Sequence, residues 1–93
     1  MIKSFADRET EKLYVTGKSR RFPLAVCGIG VRKLDYLNAA VRLEDLKAPP
    51  GNRLERLKGG LKGKYSIRIN DRYRVVFRFE DGDAYDVEIT DYH

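Results

Sequence analysis

The sequence predicts an α+β fold, N-terminal helices packed on one face of a small antiparallel β-sheet, and three observations carry that prediction. Apolar residues recur at three- and four-residue spacing through residues 24–41, the period changes to two beyond Pro49-Pro50-Gly51, and the later apolar runs are separated by short polar turns. Helical pattern first and strand pattern afterwards is the signature of segregated layers. The 93 residues suit one domain spanning 1–93, and with 42% hydrophobic and 11% aromatic residues the composition is far from that of chains too polar to fold.

Residues 2–5 are short and mixed in pattern, as an edge strand can be. Asp7 is placed to cap a helix whose first turn carries Glu9 and Glu11 at the positive end of the dipole, with Thr16 near its end and Gly17 after it. Pro23 suits a first helical turn, and Leu24, Cys27, Val31, Leu34 and Val41, with Asn38 filling one turn, form the apolar stripe of the main core helix. Gly28 and Gly30 each cost such a helix about 1 kcal/mol relative to Ala, which leaves both an unbroken helix and a late start near Gly30 open. Residues 43–47 add one turn before the Pro49-Pro50-Gly51 bend.

Two strands then alternate, Tyr65, Ile67 and Ile69 against Ser66 and Arg68, and Tyr73, Val75, Phe77 and Phe79 against Arg74 and Arg78. Only an odd loop keeps both apolar sets on one face, so Asn70-Asp71-Arg72 is the turn and Arg68 lies across from Arg74. By the same parity Asp81-Gly82-Asp83 pairs Phe79 with Tyr85, Phe77 with Val87 and Val75 with Ile89.

Charge is distributed in blocks. Residues 1–46 hold nine Lys/Arg and six Asp/Glu, residues 47–78 hold ten and two, and residues 79–93 hold none and six. A basic second half fits a nucleic-acid binder, and equally a solvated surface with an acidic last strand beside it. One Cys and one His supply neither an internal disulfide nor the usual metal-ligand spacings, so no metal or other cofactor is expected. The longest apolar run, residues 24–31, is far short of the roughly 20 residues of a membrane span, and no signal segment is visible. A soluble cytoplasmic protein without a membrane partner is the expectation.

The register puts Arg68, Arg74 and Arg78 on one sheet face. Opposed like charges destabilise a sheet unless carboxylates or an external anion answer them. Asp86 is placed to answer Arg78, whereas Arg68 and Arg74 lack an obvious carboxylate and point to phosphate. Tyr92 shares the parity of Arg74 and reads either as a rim tyrosine or as a phenol that stacks on a base or bonds a phosphate. His93 follows the same strand end and reads either as a solvated terminal residue or as an imidazole that moves a proton, with Asp91 orienting it or acting as base itself. Gly59-Gly60-Leu61-Lys62-Gly63-Lys64 matches no nucleotide-cradling motif, and reads either as a solvated turn or as a basic contact to a backbone phosphate.

The run Pro49-Pro50-Gly51-Asn52-Arg53-Leu54-Glu55, then Leu57-Lys58-Gly59, Tyr65-Ser66-Ile67-Arg68-Ile69-Asn70-Asp71, Tyr73-Arg74, Gly82-Asp83-Ala84-Tyr85 and the terminal Asp91-Tyr92-His93 resemble HigB-type toxins of the RelE/ParE superfamily. The likeness spans the chain. It implies a RelE-like microbial RNase fold and the toxin of a type II toxin-antitoxin pair, an endoribonuclease that cuts mRNA in the A site of the 70S ribosome. The implied reaction is metal-free attack of a ribose 2′-hydroxyl. The implied partner is a HigA-like helix-turn-helix antitoxin, with DNA bound only through the complex. By matching position, Lys58 and Arg74 would hold the scissile phosphate, and Asp91, Tyr92 and His93 would supply orientation, stacking and proton transfer. Arg68, Lys62 and Lys64 join Lys58 and Arg74 as RNA-backbone contacts on the charge and register arguments. Some family members place a catalytic histidine where this sequence has Glu55, which leaves a carboxylate base and an ion pair with Arg53 or Lys58 both open. The competing reading is a non-catalytic toxin that binds nucleic acid or protein, for example a gyrase inhibitor.

Overall fold

The computed structural model describes residues 1–61 and 63–91. Helix α1 (Arg8–Thr16) and helix α2 (Leu24–Ala39) pack on one face of an antiparallel sheet of β1 (Glu55–Arg56), β2 (Lys64–Arg68), β3 (Tyr73–Glu80) and β4 (Asp83–Asp91), in that spatial order. The predicted α+β class and meander are observed. Short 3₁₀ turns at Leu43–Lys47, Pro50–Asn52 and Gly59–Leu61 link helices to sheet. Among the described residues no helix is long and apolar enough to cross a membrane.

Asp7 caps α1 through its Oδ1, which accepts from the Thr10 N–H at 2.6 Å, and Gly17 closes the helix at φ 77°. The Thr10 hydroxyl oxygen accepts in turn from the Ile89 N–H at 3.0 Å, tying α1 to β4. Residues 2–5 run along the outer edge of β4 as two isolated parallel bridges, Ile2 with Ala84 and Phe5 with Val87, so the edge role holds although no full strand forms.

Helix α2 is unbroken, and its buried face is rotated from the one expected. Val26, Cys27, Gly30, Leu34 and Leu37 face the sheet, whereas Leu24 is 90% exposed and Val41, past the helix end, 70%. At Gly30 a Cβ would come within 3.2 Å of Ile89 Cδ1 and 3.4 Å of Leu13 Cδ2, so the helix approaches β4 and α1 tightly at a residue with no hydropathy signal. The helix-side core comprises Val26, Cys27, Leu34 and Leu37 with Leu13, Phe22, Ala40, Leu46, Ile67, Ile69, Val75, Phe77, Ala84, Val87 and Ile89.

The β2–β3 register is the expected one, Arg68 opposite Arg74 and Ile67 opposite Val75. The β3–β4 hairpin differs at its tip. Its turn has two residues, Asp81 and Gly82, both at positive φ, and Phe79 pairs with Ala84 rather than Tyr85. Between Val76 and Arg78 the register shifts by one, with Asp86 at φ 53° as the extra residue opposite Phe77. This bulge restores Val75 opposite Ile89. Parity does demand an odd offset, and the bulge supplies it in place of a third turn residue.

Candidate active site

The sheet face away from the helices carries Lys64, Ser66 and Arg68 of β2, Arg74, Val76 and Arg78 of β3, and Glu88 and Thr90 of β4. It is not uniformly solvated. Ser66 and Val76 are buried, Arg74 is only 8% exposed, and Leu57 beyond β1 is buried without belonging to the helix-side core. A guanidinium taken this far from water requires well-placed acceptors.

Arg74 has them. Its Nε donates to the Ser66 Oγ at 2.7 Å and its Nη2 to the Arg53 carbonyl at 2.6 Å. That carbonyl is presented by a left-handed residue, Arg53 at φ 44° and ψ 58°, which closes the Pro50–Asn52 turn. The side chain thus leans along β2 until its head lies over Ser66. Glu55 is the register partner of Ser66 on β1 and is exposed. Among the described residues no ion pair joins Glu55 to Arg53 or Lys58, so the structural alternative for that carboxylate is not what the fold adopts.

The expected lack of a carboxylate at Arg68 is corrected. Its Nη2 pairs with Asp71, three residues on in the turn, which sequence pattern marks only as a turn former. Arg78 meets Asp86 as expected, at 3.6 Å, and also Glu80 at 2.8 Å, with its head 4.6 Å from the Tyr85 ring centroid. The Glu80 hydrogen bond raises the Arg78 pKa further.

Asp91 ends the described part of β4 opposite Tyr73, one position from Thr90, the partner of Arg74. Its Oδ2 accepts from Arg72 Nη2 at 2.5 Å, a contact that raises the Arg72 pKa. A recess of about 330 Å³ opens beside β1, and one of about 240 Å³ at this strand end is lined by Arg21, Phe22, Tyr73, Ile89, Thr90 and Asp91. Sequence reasoning does not single out Arg21 or Arg72. The Arg20-Arg21 doublet between the helices is the available signal for the first, and the turn position beside Arg74 for the second.

Lys64 pairs with Arg78 at the other end of β2, and its carbonyl accepts from the Leu57 N–H at 2.9 Å, which sets Lys58 one residue beyond. Lys64 is two residues from Ser66, roughly 7 Å of strand. The lean of Arg74 therefore brings its head toward the Lys58 and Lys64 end. Lys62, Tyr92 and His93 lie outside the described residues. Among the described residues no group of three or more His, Cys, Asp or Glu side chains gathers as a metal site. The arrangement is a row of planar and point cations, one of them buried and rigid, suited to a chain of phosphates.

Comparison with known proteins gives this arrangement a family. The model for the RelE-like toxin of the type II toxin-antitoxin system HigB matches residues 3–93. Toxin HigB-1 of Vibrio cholerae is 44% identical over 85 residues, covering 90% of each chain, and Endoribonuclease HigB of Proteus vulgaris is 29% identical over 99 residues, covering all of both. The fold is similar to that of a YoeB-YefM complex from Staphylococcus aureus, at a TM-score of 0.60, 20% identity and coverage of 100% of this chain and 98% of the other. It is similar also to that of a YafQ point mutant from E. coli, at a TM-score of 0.59, 15% identity and coverage of 98% and 91%. With nearly the whole chain matched by the family model, this protein belongs to the HigB family of RelE-like toxins of type II toxin-antitoxin systems.

Proposed function

We propose that this toxin is a ribosome-dependent endoribonuclease that cuts mRNA in the A site of the 70S ribosome. The observation that carries the reading is the buried Arg74, anchored by Ser66 and Arg53 on a face that also bears Lys64 and Arg78, across from Arg68 and beside the strand end that bears Asp91. In-line phosphoryl transfer depends on positioning and on stabilising charge at the phosphate oxygens, and a guanidinium fixed at two nitrogens is pre-organised for that task.

In the reaction the ribose O2′ bonds to the adjacent phosphorus and the P–O5′ bond breaks. A base takes the 2′-hydroxyl proton and an acid returns one to the departing O5′, leaving a 2′,3′-cyclic phosphate and a 5′-hydroxyl. Arg74 and Lys58 stabilise the phosphorane oxygens. Arg68, Lys62 and Lys64 hold neighbouring backbone phosphates. His93 moves the proton, Asp91 orients it and Tyr92 stacks on a base. No metal or other cofactor takes part in this scheme.

The partner that silences the toxin is a HigA-like helix-turn-helix antitoxin, and DNA is reached only through that complex. The Proteus vulgaris relative bears the name endoribonuclease and the Staphylococcus aureus neighbour is a complex of YoeB with YefM, which supports both parts of the reading. Such a toxin acts in the cytoplasm, where its ribosomes are.

Cleavage mapping on ribosomes carrying a defined transcript tests the proposal, with naked mRNA as the control. Cuts confined to ribosome-bound mRNA, and lost on Arg74→Ala and on deletion of His93, are expected. Growth arrest in cells with no cut in any sample would move the reading to a binding toxin.

A further inference from the structure

Helix α2 buries a lysine. Lys33 is 7% exposed, and among the described residues no carboxylate lies in salt-bridge range of its amine. The Nζ instead donates to the Asn52 Oδ1 at 2.5 Å, with the Tyr36 ring centroid 5.8 Å away. Asn52 is fully buried, and its Nδ2 donates to the carbonyls of Leu46 and Ala48, each at 3.2 Å. One amide therefore gathers the helix, the 3₁₀ turn that follows it and the proline loop. A buried amine met by a neutral amide and a ring face, with no carboxylate among the described residues, is a costly way to pack a helix, and an apolar side chain of similar length would serve packing better.

The next residue along the chain shows what the cost obtains. Arg53 follows Asn52 directly and is held in the left-handed region, which a residue with a Cβ avoids by roughly 1–2 kcal/mol. Strain of this kind persists only where its surroundings over-determine it. The strained turn aims the Arg53 carbonyl at Arg74 Nη2, 2.6 Å away.

We propose that Lys33 is a positioning residue for RNA cleavage: through Asn52 it holds the Arg53 carbonyl against Arg74 and so fixes the guanidinium that grips the scissile phosphate. The inference rests on the cleavage function proposed above. Burial, with the Arg32 and Arg68 charges, lowers the Lys33 pKa. Nothing in this role requires the amine to touch RNA. Lys33 lies on α2, and it reaches Arg74 through two consecutive loop residues, Asn52 and Arg53.

Two readouts test it. In single-turnover cleavage on programmed ribosomes, Lys33→Met lowers the rate about tenfold to a hundredfold, as expected for a reacting group misplaced by an ångström or less. Ribosome affinity stays within about twofold, and in an Arg74→Lys background, where no guanidinium is left to position, the same substitution changes the slow residual rate by less than about twofold. Equal fractional losses in both backgrounds, or an affinity loss matching the rate loss, would overturn the proposal. In the free protein, the Arg74 Nε–H resonance, assigned by its loss in Arg74→Lys, should shift and exchange with water about tenfold faster in Lys33→Met while the β3 amides stay put. An unmoved resonance would equally overturn it. If Lys33→Met does not fold, Lys33→Gln carries the same comparison. Absence of cleavage by the wild type would defeat the proposed function alone, because the resonance still reports whether Lys33 positions Arg74.

Discussion

Ser66→Ala removes one oxygen from the middle of the site and has a calculable consequence. The Ser66 Oγ is buried and accepts from Arg74 Nε at 2.7 Å, and Arg74 itself is 8% exposed, so water cannot replace the lost acceptor without opening the face. Hydrogen bonds to charged groups contribute about 1.5–3 kcal/mol, and this variant leaves the donor in place. The Arg53 carbonyl still accepts from Nη2, which holds the loss to that range and short of the cost of an abandoned charge. For a domain of this size the melting temperature falls by about 4–8 °C per kcal/mol, hence by at least about 6 °C. The assay is thermal and urea unfolding of wild type, Ser66→Ala, Arg74→Met and the double variant. The cycle should return a coupling energy of about 1.5–3 kcal/mol between the two side chains. Coupling under about 0.5 kcal/mol would refute the view that the hydroxyl anchors the guanidinium.

Other expectations follow from the same geometry. A Cβ at Gly28 meets nothing within 4 Å, so Gly28→Ala should stabilise the unbroken α2 by about 0.4–1 kcal/mol, read as a higher denaturant midpoint. Gly30→Val, pressed against Ile89 and Leu13, should destabilise by about 1–3 kcal/mol in the same measurement. The backbone N–H groups of Val41 and Arg42 donate to Asp45 and lower its pKa below the ordinary 3.8. A depressed folded pKa means stability present above pH 3.8 and lost as pH falls through the folded value. Asp45→Asn should therefore flatten the acid limb of the stability profile, and an unchanged limb would contradict this.

Much of this architecture is written in local pattern. The Asp7 cap, the Gly17 stop and the Arg68–Arg74 register each depend on neighbours in sequence or on strand parity, and all are readable. The failures share another cause. The buried face of α2 includes Gly30, whose contribution is the absence of a side chain, and the β3–β4 register turns on Asp86, a bulge residue at positive φ without the glycine that would signal it. The candidate site shows the same division. That Arg68 and Arg74 share a face follows from parity, whereas the partners of Arg74 are the Ser66 hydroxyl and a main-chain carbonyl 21 residues away, and no side-chain pattern encodes a carbonyl. Nothing in local pattern marks Lys33, because its partner Asn52 lies 19 residues on. Arg68 looks unanswered in sequence because Asp71 reads as a turn former alone.

The most direct test of the account is single-turnover cleavage of one defined mRNA on ribosomes by wild type and Arg74→Lys. Lysine keeps the charge but has no planar fork to satisfy Ser66, Arg53 and a phosphate together. The folded variant should bind ribosomes normally and cleave at least about a hundredfold more slowly. Cleavage at the wild-type rate would contradict the central claim that the anchored guanidinium of Arg74 is the heart of this site.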